Sequence, residues 1–141
     1  MSLQFLSFST PELTQLGLAI IRVGVGILFI GHGSLKIYRG VGELTWTGEQ
    51  MANLGIRFAP LFWGICAMLS EFLGGISLTL GLATRLTTPF MSFTMLVAII
   101  YHLKKGDPYG YYSFPMSQLA VFVGIFFAGS GIYSLDHYFF S

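Results

Sequence analysis

Two charged residues stand inside runs that are otherwise apolar. Arg22 lies within Leu13 to Lys36, LTQLGLAIIRVGVGILFIGHGSLK, and Glu71 within Pro60 to Leu80, PLFWGICAMLSEFLGGISLTL. A charge held in hydrocarbon costs about 2.5–3.5 kcal/mol on insertion scales, so each needs a partner. Counted from the start of its own run, Arg22 lies roughly 15 Å in and Glu71 roughly 16 Å in from the opposite side. In a core of ~30 Å both fall near the middle. The two are therefore expected to face each other. Such a pair is either a functional site or a buried ion pair that fixes helix register.

A second group gathers near the ends of the runs. His32 and Lys36 close the first run, and His102 closes the third. A neutral imidazole can hydrogen-bond a carbonyl or relay a proton, because histidine titrates near working pH. Lys36 and Lys104 can hold an anionic group. His32, Lys36 and His102 are expected to surround one pocket, with Trp46 or Tyr101 near its mouth. The plainer alternative is snorkelling lysines, interfacial histidines and an ordinary aromatic belt. Haem ligation by the two histidines would need facing helices and is not expected. A metal held by His32, His102 and Asp107 is not supported by diagnostic spacing, so no metal site is assigned. Cys66 reads as packing in the middle of its run.

Elements that could position these groups follow from composition. The chain has 141 residues, 54% hydrophobic and 9% charged. Soluble domains carry about a quarter charged residues, so this is an integral membrane protein. The length allows one transmembrane domain, 1–141. A net charge of +1 without a basic patch gives no case for nucleic acid. One cysteine excludes an internal disulfide. The N-terminal stretch lacks the basic residues of a signal peptide and reads as retained.

Four spans are expected, at about 11–38, 60–80, 87–103 and 115–132. Ser9 and Thr10 before Pro11 and Glu12 make a helix start. Between the first two spans, Thr47 to Leu54 reads as a short interfacial helix or an ordered loop. Thr47 and Gln50 have capping-box spacing, and Gly55 can end the helix. Small residues Gly64, Ala67, Gly74 and Gly75 mark a face for close helix approach. Thr87, Thr88 and Pro89 are expected to start the third span, and Lys105 to Pro115 to form a loop. The predicted fold is an all-α, antiparallel four-helix transmembrane bundle with a short interfacial helix after the first span. Lipid leaves no partner for unpaired backbone, which favours helices.

These features together resemble the DoxX family of small four-span membrane proteins. The resemblance rests on Arg22, the Phe29-Ile30-Gly31-His32-Gly33 run with Lys36, and Glu71 followed by Gly74-Gly75. It also rests on Leu80-Gly81-Leu82-Ala83-Thr84-Arg85 and on Gly129-Ser130-Gly131-Ile132-Tyr133-Ser134-Leu135-Asp136. It covers nearly the whole chain. The resemblance implies a link to quinone, quinol or thiosulfate redox systems and to membrane oxidoreductase assemblies. Two departures stand out: Gln118 where the family pattern implies an acid, and Ser130 where it implies a proline.

The function expected is a membrane subunit of a redox system handling a quinone or quinol at the lysine-rich interface. Arg22, Glu71, His32 and His102 are its candidate catalytic residues; Lys36, Trp46 and Tyr101 are its candidate binding residues. No resident cofactor follows from the sequence, and quinone is the ligand the resemblance allows. The alternatives are a non-catalytic scaffold for a larger membrane complex and a carrier for a small hydrophobic molecule. Expected partners are membrane lipid, a redox protein or larger complex, or a second copy of the chain. Lys36, Arg39, Arg57, Lys104 and Lys105 lie on one side and only Arg85 on the other. Positive residues favour the cytoplasm, which puts both termini on the non-cytoplasmic side of a cell membrane, the inner membrane in a bacterium.

Overall fold

The computed structural model describes residues 10–141; Ser9 and most of the base-poor N-terminal stretch lie outside them. The elements are α1 (Pro11–Arg39), α2 (Val41–Glu49), a 3-10 turn (Gln50–Leu54), α3 (Pro60–Leu80), α4 (Thr84–Lys105), α5 (Tyr109–Ala128) and α6 (Leu135–Phe140). Four of them, α1, α3, α4 and α5, are long and apolar enough to cross a membrane. The protein is an all-α membrane bundle.

Local chemistry sets the helix ends. Thr10 caps α1, its hydroxyl oxygen accepting from the Leu13 N–H. α4 begins at Thr84, three residues earlier than expected, and Pro89 falls in its second turn. The Thr88 hydroxyl bonds the Thr84 carbonyl there at 2.8 Å. Pro89 forgoes only the one bond that its missing N–H would make to the Arg85 carbonyl. α5 begins at Tyr109, because Pro108 acts as its cap and Pro115 sits inside the helix. The expected loop from Lys105 to Pro115 therefore shrinks to a tight turn. α5 also stops at Ala128, short of Ile132. Gly129 and Gly131 both adopt positive φ, 80° and 77°, which ends the helix.

α1 and α3 are antiparallel neighbours held by glycines. Gly26 lies against Gly75 and Thr79, and Gly33 against Phe72, so closely that a Cβ on either would overlap them. After Gly40 the chain re-enters helix as α2, which keeps to the same partner. Gly64 of α3 abuts the Leu44 carbonyl, and Gly48 abuts that of Pro60. α1 and α2 together thus run antiparallel along the whole of α3. The short helix expected after the first span exists, but it starts at Val41 rather than Thr47. Gly55 ends the following 3-10 turn in the left-handed conformation, as expected. The capping box does not form: Thr47 donates to the Glu43 carbonyl and Gln50 to the Trp46 carbonyl. Both residues lie where helix is already under way, so their side chains bond backwards.

The apolar core lies between α1, α3, α4 and α5. Phe29, Leu78, Met91, Met95, Phe122 and Ile125 form one buried cluster. At the far end from α2, the chain after α5 folds back over α3 and α4. The Asp136 N–H donates to the Gly81 carbonyl at 3.0 Å. The Asp136 carboxylate accepts from the Ala83 N–H at 2.8 Å and from the Ser130 hydroxyl. Ser130 also meets the Thr84 hydroxyl at 2.7 Å. The serine that replaces an expected proline is thus a hydrogen-bonding link between the tail and the α3–α4 turn.

Candidate functional site

The expected contact between Arg22 and Glu71 does not form. Arg22 is 1% exposed and donates from Nη1 to the Leu78 carbonyl at 2.8 Å. Its Nη2 donates to the Tyr133 carbonyl. Leu78 lies in the last turn of α3, where its carbonyl also accepts from the Gly81 N–H at 3.3 Å, and Tyr133 lies in the turn before α6. Arg22 lies directly beneath Gly81, where a Cβ would strike the guanidinium. The misreading has a physical cause. Equal depth would require both helices to begin at a membrane face. The glycine contacts set a different register, with Gly26 level with the last turns of α3. Arg22 is therefore level with the end of α3, not its middle.

Glu71 takes Lys36 instead. Lys36 Nζ lies 2.7 Å from both carboxylate oxygens. Glu71 is eleven residues into α3, about 16 Å from its start, and so stands near mid-helix. Gly33, one turn before Lys36, sits on Phe72, which brings the two charges level. Their side chains are only 18% and 6% exposed.

This pair lies on the wall of a cavity of about 670 Å³ between α1, α2, α3 and α4. That volume is within the range of small-molecule sites. Trp46, Tyr101 and His102 line it together with Lys36 and Glu71, so five of the seven candidate residues meet at one place. Trp46 and Tyr101 are in edge contact at 6.0 Å. The rest of the wall is largely apolar, including Ala67, Phe93 and Val97.

His32 does not join them. It is exposed and lies against Phe29 and Phe114, each ring 5.6 Å away. The single pocket expected for His32, Lys36 and His102 thus loses one histidine. Phe29 is one turn before His32, and both face α5. Lys36 escapes that face because its long stem reaches around to Glu71. Arg22 is likewise absent from the cavity wall.

Two wall residues carry chemistry that the sequence did not single out. Trp63 lines the cavity, and its buried indole N–H has no hydrogen-bond partner among the described residues. Cys66, read as packing, also faces the cavity. Trp63, Cys66 to Ala67 and Ser70 recur at helical spacing on α3 before Glu71. That stripe was the available signal. Gln118, where an acid was expected, lies on α5 outside the cavity, with its buried Oε1 unpartnered among the described residues.

The fold and site define a multi-pass helical membrane protein with a ligand-sized cavity and an ion pair in its wall. The DoxX family model matches residues 17–103. The chain belongs to the DoxX family. It is 30% identical over 131 residues to "Inner membrane protein YqjF" of Escherichia coli (strain K12), covering 89% of this chain and 93% of that protein. It is 28% identical over 126 residues to "Putative oxidoreductase CatD" of Bacillus subtilis (strain 168), covering 89% of each. No solved structure matches the chain.

Proposed function

We propose that this protein is a membrane subunit of a redox system that takes a quinone or quinol into the cavity between α1, α2, α3 and α4. The observation that carries this reading is the Lys36–Glu71 pair on a largely apolar wall. An apolar cavity with a few convergent polar groups suits a flat, lipid-soluble ligand with oxygen at its ends. Lys36 donates to a quinone oxygen, and Glu71 accepts from a quinol hydroxyl. A relative named as an oxidoreductase supports the redox class.

The two tryptophans of the chain, Trp46 and Trp63, both line the cavity, so fluorescence reports on it directly. Titrating the purified protein with duroquinone and with its quinol should give saturable quenching. Ala98→Phe, which fills the wall, should abolish the saturable part. Linear quenching that Ala98→Phe leaves intact would refute the reading.

An accessory role in a larger complex is favoured by a separate observation. Gly17, Gly24 and Gly31 recur every seven residues along α1 and meet nothing within 4 Å. Open small-residue faces suit helix association in membranes. Replacing Gly24 by Leu should then release a partner or a second copy that otherwise stays bound through purification in mild detergent. An unchanged complex mass would remove this reading.

A further inference from the structure

The turn between α4 and α5 builds a second polar pair at the end of the same cavity. α4 closes at Gly106, whose φ of 76° turns the chain back on itself. The Asp107 N–H then donates to the His102 carbonyl at 3.0 Å. This return places Asp107 Oδ2 2.7 Å from His102 Nδ1. The dyad is thus made locally, by a left-handed glycine cap that folds an acid onto the last turn of its own helix.

His102 lines the cavity, while Asp107 stands in the turn outside the span. The two side chains are 22% and 14% exposed, so both stay partly accessible. The rings of Tyr101 and Tyr111 flank the imidazole at 4.9 and 5.9 Å. Lys105 Nζ approaches Asp107 at 3.7 Å from the far side. Lys36 and Glu71 are the other charged groups on the cavity wall.

A carboxylate on Nδ1 assigns the proton of the neutral ring to that nitrogen and leaves Nε2 with its lone pair. A base oriented by an acid is a recurring arrangement for moving protons.

Resting on the reading that a quinol enters this cavity, we propose that His102 and Asp107 form its proton port. Nε2 of His102 takes the hydroxyl proton of the bound quinol. The O–H bond breaks, an N–H bond forms, and the quinol anion stays in the cavity with Lys36 in the wall. The imidazolium then gives its Nδ1 proton to the Asp107 carboxylate, which passes it to water beside the α4–α5 turn, and the ring resets its tautomer before the next turnover. No electron moves in this step. His102 is the proton acceptor, and Asp107 orients the ring and carries its proton outward.

A coloured phenol tests the step. 4-Nitrophenol carries one ionisable hydroxyl, and its anion absorbs visible light. Bound to the purified protein, it should show the phenolate band at a pH where the free probe is mostly phenol. Asp107→Asn should still bind the probe, as read by tryptophan quenching, but lose most of that band. Asp107→Glu, which keeps a carboxylate, should restore part of it. Quenching with an unchanged phenolate band in Asp107→Asn would overturn the port while leaving the cavity reading standing. No quenching in the unaltered protein would sink the cavity reading and the port with it.

Discussion

Lys36 and Glu71 meet near the middle of α3, with the ammonium 2.7 Å from each carboxylate oxygen. Removing one partner of a buried pair leaves the other charge without compensation, typically at about 3–5 kcal/mol. Lys36→Met and Glu71→Leu should each destabilise the protein on that scale. The double variant should recover much of the loss. Denaturation of all three in detergent measures the coupling. Purely additive losses would show that the pair is not formed. If the double variant folds but no longer quenches with quinol, the pair also binds ligand.

Arg22 should behave differently. Its guanidinium joins carbonyls from two separate elements, Leu78 and Tyr133. Hydrogen bonds from charged groups contribute about 1.5–3 kcal/mol each. Arg22→Leu should therefore destabilise by several kcal/mol, on the order of two such bonds. Arg22→Lys should rescue only part, because one ammonium lacks the planar fork. Arg22→Leu and Glu71→Leu should add without coupling. A sizeable coupling energy in the double variant would mean the two residues communicate after all.

Acid should loosen the tail. Asp136 lies in α6, outside the spans. Burial pushes its carboxyl up, but the N–H groups of Ala83 and Thr84, the Ser130 hydroxyl and the Arg22 charge outweigh it. The carboxyl therefore titrates below its ordinary 3.8. A carboxylate depressed in the folded state adds stability above its unfolded pKa, and that contribution is lost as pH falls through the folded value. Melting temperature should thus show no Asp136 contribution to its slope near neutral pH, and a falling one below about pH 4. Asp136→Asn should melt lower at neutral pH and lack that part of the acid loss. Parallel melting profiles for the two proteins would contradict this.

Orientation follows from charge. Lys36 and Arg39 close α1, Arg57 lies in the loop before α3, and Lys104 and Lys105 close α4, where the Lys104 ammonium bonds the Asn53 carbonyl. Arg85 lies at the other end and bonds the Phe126 and Phe127 carbonyls. We propose that the lysine-rich end is cytoplasmic and the chain termini are not. A phosphatase fused after Ser141 should be active. An inactive phosphatase there, with a cytoplasmic reporter active at the same position, would reverse the orientation.

Much of the fold was legible because hydropathy reports lipid exposure directly. Four spans follow from it, but the expected small-residue face is only half right: Gly75 meets α1 and Gly64 meets α2, while Gly74 meets Met91 of α4 and Ala67 lines the cavity. Helix starts at Thr84 and Tyr109 were missed because Pro89 and Pro115 looked like initiators. Inside a helix each forgoes only the one bond that its missing N–H would make. The site was half legible. Glu71, Lys36, Trp46, Tyr101 and His102 were all named, but Arg22 was given the wrong partner. Pairing depends on axial register, and register here is set by where Gly26, Gly33, Gly48 and Gly64 touch α3 or its partner, which hydropathy does not encode. His102 and Asp107 show the opposite case: their contact needed only a helix end and Gly106.

The register of α1 on α3 also bears on how the protein is made. Lys36 leaves the ribosome 35 residues ahead of Glu71, and Arg22 leaves 56 ahead of Leu78. At ordinary elongation rates of about 5–20 residues per second, Lys36 waits roughly 2–7 s for its counter-charge. During that interval α1 holds two unanswered cations and cannot settle in lipid at its final depth. The arrival of α3 answers Lys36 with Glu71 at mid-helix and Arg22 in part with the Leu78 carbonyl at its end; the Tyr133 carbonyl completes Arg22 later. Membrane insertion of the first helix is thereby tied to synthesis of the second, and a nascent chain stalled before Pro60 should be extractable where one stalled after Leu80 is not.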